Sequence, residues 1–460
     1  MRRRKFLEVS ANGAIAMGIA PTVLARSNWQ GANDRVNVAV IGIRSQGLSH
    51  VGSYQALDNV EVAALCDVDE NLFAGRIKSH FSDKNLREPK VYSDLRRLLE
   101  DKDIDAVSIC TPNHWHALAS IWAIQAGKHV SVEKPCCHTF HEGQKLVEIA
   151  KKSGKVVQDG AEQRSNPLSQ SAVKFMSDGK LGEVYLAKGL CYKWRNTIGR
   201  YPDGAMEPYS TDYMKNVNYD LWLGPAPERP FNINRFHYNW HWHWDYGNGD
   251  MGNQGVHEMD IARWGLGVKL PTRVSSIGGH FMFDDAQETP NTLMSVFEFS
   301  NPEGAGDKKK ILEFETRHWM TNPEGDNLGA EESKTNSYMT GSSNIIGNIF
   351  YGSKGYMQKD VSHWQTFMGK ERVPGESGTG TGNHYQNFID AIRANNPGLL
   401  TAPIDEGFYS CALIHLGNIS YKLGRAFEFD PETMQIINDP QANQMLTKQY
   451  RKPFLLSEYE

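Results

Sequence analysis

At 460 residues the chain exceeds what one ordinary hydrophobic core organises, so a leader followed by two domains is expected. Charged residues make up 22% and aliphatic and aromatic residues 40%, with 42 Gly and 11 Trp, which excludes a disordered chain and fits a turn-rich globular enzyme. A net charge of -5, with no long basic run beyond the first residues, argues against nucleic acid or an anionic membrane as the main partner. A neutral small molecule fits better.

Arg2, Arg3, Arg4 and Lys5 precede an apolar run from Val9 to Ala20 that is short for a bilayer span and shaped like a secretory signal. The run RRKFLE, Arg3 to Glu8, and the small-residue spacing at Val23, Leu24 and Ala25 resemble a twin-arginine leader, read by the export route for folded proteins. Residues 1–32 are therefore expected to be signal and linker, and the protein to be periplasmic or otherwise exported, without a stable membrane anchor. The competing reading, a basic tail ahead of a buried helix, is weakened by Gly13, Gly18 and Pro21.

From Val36 to Val157 short apolar runs (VNVAVIG, VEVAALCD, AVSICTP, HVSVEKP, KVVQDG) alternate with helical patterns such as Asp94 to Leu99 and Phe140 to Lys152. β-Branched runs without polar alternation indicate strands buried on both faces, so residues 33–160 are expected to form a doubly wound parallel Rossmann sheet. Beyond Asp159 the segments lengthen and alternate: EVYLAKGLCY, RVSSIGGHFMF, TLMSVFEFS, KKILEFETRHW and IFYGSKGYM. Helices are expected at Pro167 to Asp178, Val256 to Trp264 and His384 to Arg393. Residues 161–460 thus read as an α+β domain on one large, mostly antiparallel open sheet whose second face needs a cover. Thr321 to Asn344 and Val373 to Asn383 read as loops, and the Trp-rich stretch from Asn239 to Asn253 as a binding loop. The six cysteines form no CxxC pair and show no metal-ligand spacing, so no metal is expected, and Cys66 and Cys110 fall at buried strand ends as small apolar residues.

The turn GIRSQG, Gly42 to Gly47, follows the first strand and opens a helix, where backbone N–H groups and the helix dipole can hold a pyrophosphate. Arg44 stands where a second glycine is usual, so the turn after Ile43 either bends differently or places a guanidinium on a phosphate. Asp67 ends the second strand about twenty residues beyond Gly47, at the position where a carboxylate accepts ribose hydroxyls. That favours NAD, with NADP left open by Arg44; a helix-capping role is the competing reading of Asp67. TPNHWH, carrying Thr111, Pro112, Asn113 and His116, follows the fourth strand, and Glu133-Lys134-Pro135 follows the fifth. Both loops emerge at the carboxyl edge, where such sheets bind ligands. Lys134 could direct an ammonium at a substrate hydroxyl.

These motifs together with SVEKP, VQDGAEQRS, GKLGEV, YDLWLGPAP and GNQGVHEMD resemble the Gfo/Idh/MocA family, from about Asn33 to the end of the chain. The resemblance implies hydride chemistry on a sugar, polyol or related ligand in a cleft between a Rossmann domain and a C-terminal domain whose sheet makes oligomer contacts, as a dimer or tetramer. It makes Lys134 the catalytic lysine, Glu133 a nicotinamide-ribose neighbour, Asn113 a cofactor-contacting residue and His257 the proton-transfer residue. Many members carry Asp four residues before that histidine; here Asn253 stands there, which puts the activation of His257 in doubt and leaves Asp250 or Asp260 to substitute. Gln163 and Arg164, after the sixth strand, are expected to bound the cleft.

In NWHWHWDYGNGD an extended backbone would put Trp240, Trp242 and Trp244 on one side and His241 and His243 on the other. Trp242 and His243 are the expected substrate contacts, with an aromatic core stripe as the competing reading. If the leader is functional, the nicotinamide cofactor should travel tightly bound and be regenerated in place. Net oxidation of a sugar or glycoside hydroxyl is the first expectation; redox-neutral glycoside cleavage through transient oxidation is the alternative, and a non-catalytic sugar-binding protein the third.

Overall fold

The computed structural model describes residues 35–300, 308–319 and 345–456, so the expected leader and the expected loop from Thr321 to Asn344 lie outside the described residues. Six strands, Val36–Ile41 (β1), Val60–Cys66 (β2), Lys90–Tyr92 (β3), Ala106–Ile109 (β4), His129–Val132 (β5) and Val157–Asp159 (β6), form a wholly parallel sheet in the order β3-β2-β1-β4-β5-β6. The helices Gln46–Gln55 (α1), Phe73–His80 (α2), Leu95–Leu99 (α3), Asn113–Gln125 (α4) and Phe140–Ser153 (α5) connect them. Val38, Ala39, Val40, Val107, Val130 and Val132 are fully buried, as a sheet covered on both faces requires. The strand order runs outward in two directions from β1 and β4, and the switch between them opens a crevice at their carboxyl ends.

After helix Pro167–Ser177 (α6) the chain builds a ten-stranded sheet: Val184–Tyr192 (β7), Arg273–Gly279 (β8), Thr292–Ser300 (β9), Lys309–Arg317 (β10), Ile345–Gly352 (β11), Gly355–Lys359 (β12), His363–Met368 (β13), Val373–Thr379 (β14), Phe427–Asp430 (β15) and Gln435–Ile436 (β16). Its neighbouring strands pair antiparallel except β7 with β10. Two helices before β8, Gly249–Asn253 (α7) and Gly255–Leu266 (α8), lead onto its inner face. Gly255 permits that contact, because a Cβ there would lie 2.2 Å from the Phe314 ring. Leu293, Phe297, Phe299, Leu312 and Phe314 alternate inward along β9 and β10 and are buried.

The structure changes three expectations here. IFYGSKGYM is a hairpin, not one strand, because the chain turns at Ser353 and Lys354 between β11 and β12. Val373 to Thr379 is a strand paired with β13 despite its polar, Gly-rich composition. The cover on the sheet includes a second, unforeseen helix, Ile404–Leu423 (α10), buried without interruption from Ser410 to Ser420. The helix His384–Arg393 (α9) is found where expected, but its Phe388, Ile389 and Ala391 pack with Val36, Val38 and Val40 of β1 in the core of the first sheet.

Candidate active site

At the end of β1 the backbone turns back on itself. Gly42 has φ +86, and a Cβ there would lie 2.6 Å from Cys110 O; one on Gly47 would lie 1.8 Å from Gly42 O. Both glycines let the turn lie against β4 and deliver the chain into α1, whose first turn carries no side-chain cap and no acidic residue. Its free N–H groups suit an anion. Ile43 is buried and contributes its backbone N–H, which donates to Asp67 Oδ2 at 2.8 Å, while Asp69 N donates to Asp67 Oδ1 at 3.0 Å. Burial raises the Asp67 carboxyl to about 6 against those bonds. Arg44 lies at the exposed mouth, its Nη2 donating to Tyr209 Oη at 3.3 Å.

A cavity of about 290 Å³ opens here, lined by Gly42, Arg44, Asp67, Thr111, Pro112, Asn113, His116, Glu133, Lys134 and Asn253. Thr111 Oγ1 is buried without a partner among the described residues, as a hydroxyl kept for a ligand would be. The glycine cradle, the uncapped helix start, Asp67 and this hydroxyl fit a dinucleotide.

Glu133 and Lys134 form the floor. Glu133 Oε1 accepts from His50 Nε2 at 2.9 Å and from Gln46 Nε2 at 3.1 Å, both one turn apart on α1. Burial opposes a charged Glu133, but the hydrogen bond and charge of His50 outweigh it and hold the carboxyl well below its ordinary range. His116 braces both loops, its Nδ1 2.7 Å from Pro135 O and its Nε2 2.6 Å from Thr111 O. The Lys134–Pro135 bond is cis, and Lys134 Nζ donates to Asn253 O at 2.8 Å across the cleft.

Asn253 therefore meets Lys134 through its carbonyl, while its Nδ2 donates to Asp250 Oδ1 at 3.2 Å. His257 sits one turn further along on α8 and lines a smaller cavity with Gln163, Glu258 and Lys359, not the one that Lys134 and Asn253 line. Burial, and secondarily the Lys134 charge, lower its pKa to about 3, so the imidazole is neutral. Neither acid considered as a substitute for the missing Asp is free. Asp250 is bound by Arg195 at 2.7 Å and His318 at 3.0 Å, and Asp260 by Arg164 at 2.9 Å and by Ser410 at 2.6 Å.

Four expected contacts lie elsewhere. Arg164 is buried in its ion pairs with Asp260 and Glu406, which hold α8 to α10. Gln163 Oε1 accepts from Ser169, and the residue lines two other cavities. Trp242 and His243 are buried, because Asn239–Trp242 is a 3-10 turn and not extended, which breaks the expected alternation. Arg195 lies over the Trp242 ring at 5.3 Å, and His243 Nε2 donates to Asn234 O at 2.8 Å. The turn presents Trp240 and His241 to the cavity instead, stacked at 3.6 Å with 19° between their planes, beside His237 and Tyr238. His241 Nδ1 donates to Tyr238 O, which leaves Nε2 as an acceptor. Sequence reasoning singled out this segment but not these members of it, and it missed His50, whose four-residue spacing from Gln46 was the available signal.

Residues 36–161 match a family described as an oxidoreductase family with an NAD-binding Rossmann fold, and residues 173–280 and 329–456 match an oxidoreductase family C-terminal alpha/beta domain. A glycosyl hydrolase family 109 protein of Shewanella sp. (strain W3-18-1) is 38% identical over 126 residues, 26% of this chain and 27% of that protein. One from Shewanella baltica (strain OS155 / ATCC BAA-1091) is 35% identical over 175 residues, 34% of this chain and 38% of that protein, so these matches span well under half of either relative. Among solved structures, aldose-aldose oxidoreductase from Caulobacter crescentus complexed with glycerol shares the fold at TM-score 0.61 and 16% identity, covering 86% of this chain and 100% of that one. Levoglucosan dehydrogenase in complex with NADH and levoglucosan does so at 0.59 and 18%, covering 86% and 99%. The WlbA dehydrogenase from Bordetella pertussis, in complex with NADH and UDP-GlcNAcA, does so at 0.58 and 17%, with the same coverage. With both halves of its architecture matched, the chain belongs to the Gfo/Idh/MocA oxidoreductase family, as an NAD-binding Rossmann domain joined to that family's C-terminal alpha/beta domain.

Proposed function

We propose that the protein is an NAD(P)-dependent oxidoreductase acting on a hydroxyl of a sugar, polyol or glycoside. The observation that carries this reading is Lys134 Nζ, held by Asn253 O at 2.8 Å in the same cavity that Gly42, Asp67 and Asn113 line. Gly42, the start of α1, Thr111 and Asn113 would hold the dinucleotide's phosphates, and Asp67 its ribose, which favours NAD. Bound there, the cofactor supplies a hydride acceptor. Lys134 directs its ammonium at the substrate hydroxyl oxygen and stabilises the alkoxide as it forms. His257, kept neutral at working pH by burial and secondarily by the Lys134 charge, takes the hydroxyl proton. The Trp240 and His241 stack offers a flat face to a sugar ring.

A redox-neutral glycosidase using transient oxidation of the same hydroxyl is the second reading, favoured by the partial likeness to proteins named glycosyl hydrolase family 109. Export, inferred from the Arg-rich start, would require a tightly bound cofactor recycled in place. The outer face of the large sheet exposes Ile277, Met294, Val296 and Ile311, which supports a homo-oligomer formed through it. No helix among the described residues is long and apolar enough to cross a membrane.

Purified protein, denatured and assayed for released nicotinamide dinucleotide, should yield it in near-stoichiometric amount; exported protein free of cofactor overturns the recycled-cofactor reading. A panel of aryl glycosides and free sugars with a ketose acceptor then separates the chemistries. Acceptor-dependent oxidation supports the oxidoreductase, and leaving-group release without net cofactor reduction supports the glycosidase. Activity surviving Lys134→Ala removes both.

A further inference from the structure

Behind the Lys134 turn, three thiols that the sequence keeps far apart meet in the protein interior. Cys136 and Cys137 follow Pro135 directly, and Cys411 comes from α10; all three are fully buried, free, and within 4.8 Å of one another at their sulfur atoms. Cys136 Sγ lies 3.7 Å from Cys411 Sγ. One turn beyond Cys411 on the same helix is His415, also buried, whose Nε2 lies 3.4 Å from Cys137 Sγ. Neither the reaction nor the cofactor cradle uses any of these four groups.

The three sulfurs lie close enough to one another to share one ion. With zinc–sulfur bonds of about 2.3 Å and a zinc–nitrogen bond of about 2.0–2.1 Å, the sulfur–sulfur edge is about 3.8 Å and the sulfur–nitrogen edge about 3.5 Å. Two contacts, Cys136 to Cys411 and Cys137 to His415, already fall within about 0.1 Å of those edges, and a side-chain shift of His415 toward the other sulfurs closes the set. We propose that Cys136, Cys137, Cys411 and His415 form a structural zinc site that fastens the Lys134 turn to α10. On binding, the three thiols lose their protons to solvent and form Zn–S bonds, while His415 contributes the lone pair of Nε2; nothing is oxidised or reduced. Three thiolates and one divalent cation leave a single negative charge. Lys422 and Lys448 line the polar cavity that His415 also borders, which gives the site cationic neighbours. A closed set of four protein ligands marks the ion as structural and not catalytic. The ligands escape sequence analysis because 275 positions separate Cys136 from Cys411, and no short spacing motif spans that distance.

The test uses the full chain, purified under reducing conditions without chelator. Elemental analysis should find about one zinc per chain, and the metal-free protein given Co²⁺ anaerobically should show thiolate-to-cobalt charge-transfer absorption with the visible bands of a tetrahedral site. Cys137→Ser and Cys411→Ser should lose most of that absorption, whereas Cys191→Ser, outside the cluster, should keep it. The wild-type cobalt spectrum decides the matter even if a cluster variant fails to fold. Wild-type protein that neither retains zinc nor develops the charge-transfer bands overturns the proposal. So does metal uptake that survives loss of Cys411, or a disulfide within the trio, detected as two fewer reactive thiols after denaturation without reductant.

Discussion

The two sheets handle burial differently, and the difference decides where their chemistry can sit. The parallel sheet is covered on both faces, so only its ends reach a ligand: Gly42, Asp67, Thr111 and Lys134 each stand within two residues of the end of β1, β2, β4 or β5. The ten-stranded sheet has α8 and α10 on its inner face and apolar side chains uncovered on its outer face. It contributes to the cavity through the segment from Phe236 to His241 and through α7, which lie beyond its strands. A sheet enclosed on both sides concentrates function at strand ends; a half-covered one delegates function to its connections and keeps a face for association.

That contrast can be broken most decisively at Lys134. Lys134→Ala should lower turnover by roughly 10²–10³-fold while the cofactor stays bound, measured as kcat alongside cofactor content. Loss of the cofactor in parallel would make Lys134 a binding residue and remove the distinction between floor and cradle. Next comes the paired test on the second domain's segment. Trp242→Ala should cost about 3–5 kcal/mol in denaturant unfolding, because that ring is buried beneath Arg195. Trp240→Ala should leave stability within about 1 kcal/mol and raise KM instead. The reverse pattern would return the segment to the extended geometry that its alternating composition suggests.

Acid sharpens the comparison more gently. Burial holds His114, His241 and His257 down to about 3 from an ordinary 6.5. Between those values the unfolded chain binds protons that the folded chain does not, so stability is complete above pH 6.5 and falls as pH drops toward 3. Thermal melts across that window should show Tm falling steadily; a flat profile would mean these rings are solvated. The smallest effect on activity is expected at the outer sheet face, where Val296→Glu should dissociate the proposed homo-oligomer in light scattering while leaving kcat unchanged. A fall in kcat there would tie the open face to the site.

Legibility followed the same division. Strands β1, β2, β4, β5 and β6 were recognisable because double burial imposes unbroken apolar runs, and the ligand-facing loops follow those runs directly. β3 shows no such run, because Lys90 and Val91 are exposed, whereas all of β6, equally short, is buried. α10 escaped notice too, since a helix buried all round has no amphipathic stripe. Within the site, Gly42, Asp67, Asn113 and Lys134 were readable from local motifs. His50 and the buried ion pair of Arg164 depend on partners from distant elements, Glu133 for the first and Asp260 for the second. The tight turn at Asn239–Trp242 reversed which ring faces the ligand, and composition alone carries no backbone angle.

The placement of α9 bears on how the protein is made. Phe388, Ile389 and Leu400 complete the apolar layer beneath β1, yet they are synthesised some 230 residues after the last strand of that sheet. At ribosomal speeds of about 5–20 residues per second, the first domain waits roughly 10–50 s with part of its core uncovered. The amino-terminal half therefore cannot finish folding on the ribosome ahead of the rest. Holding that half-built layer away from aggregation until nearly the whole chain has emerged is a task for chaperones, and a fragment ending after β6 should be poorly soluble.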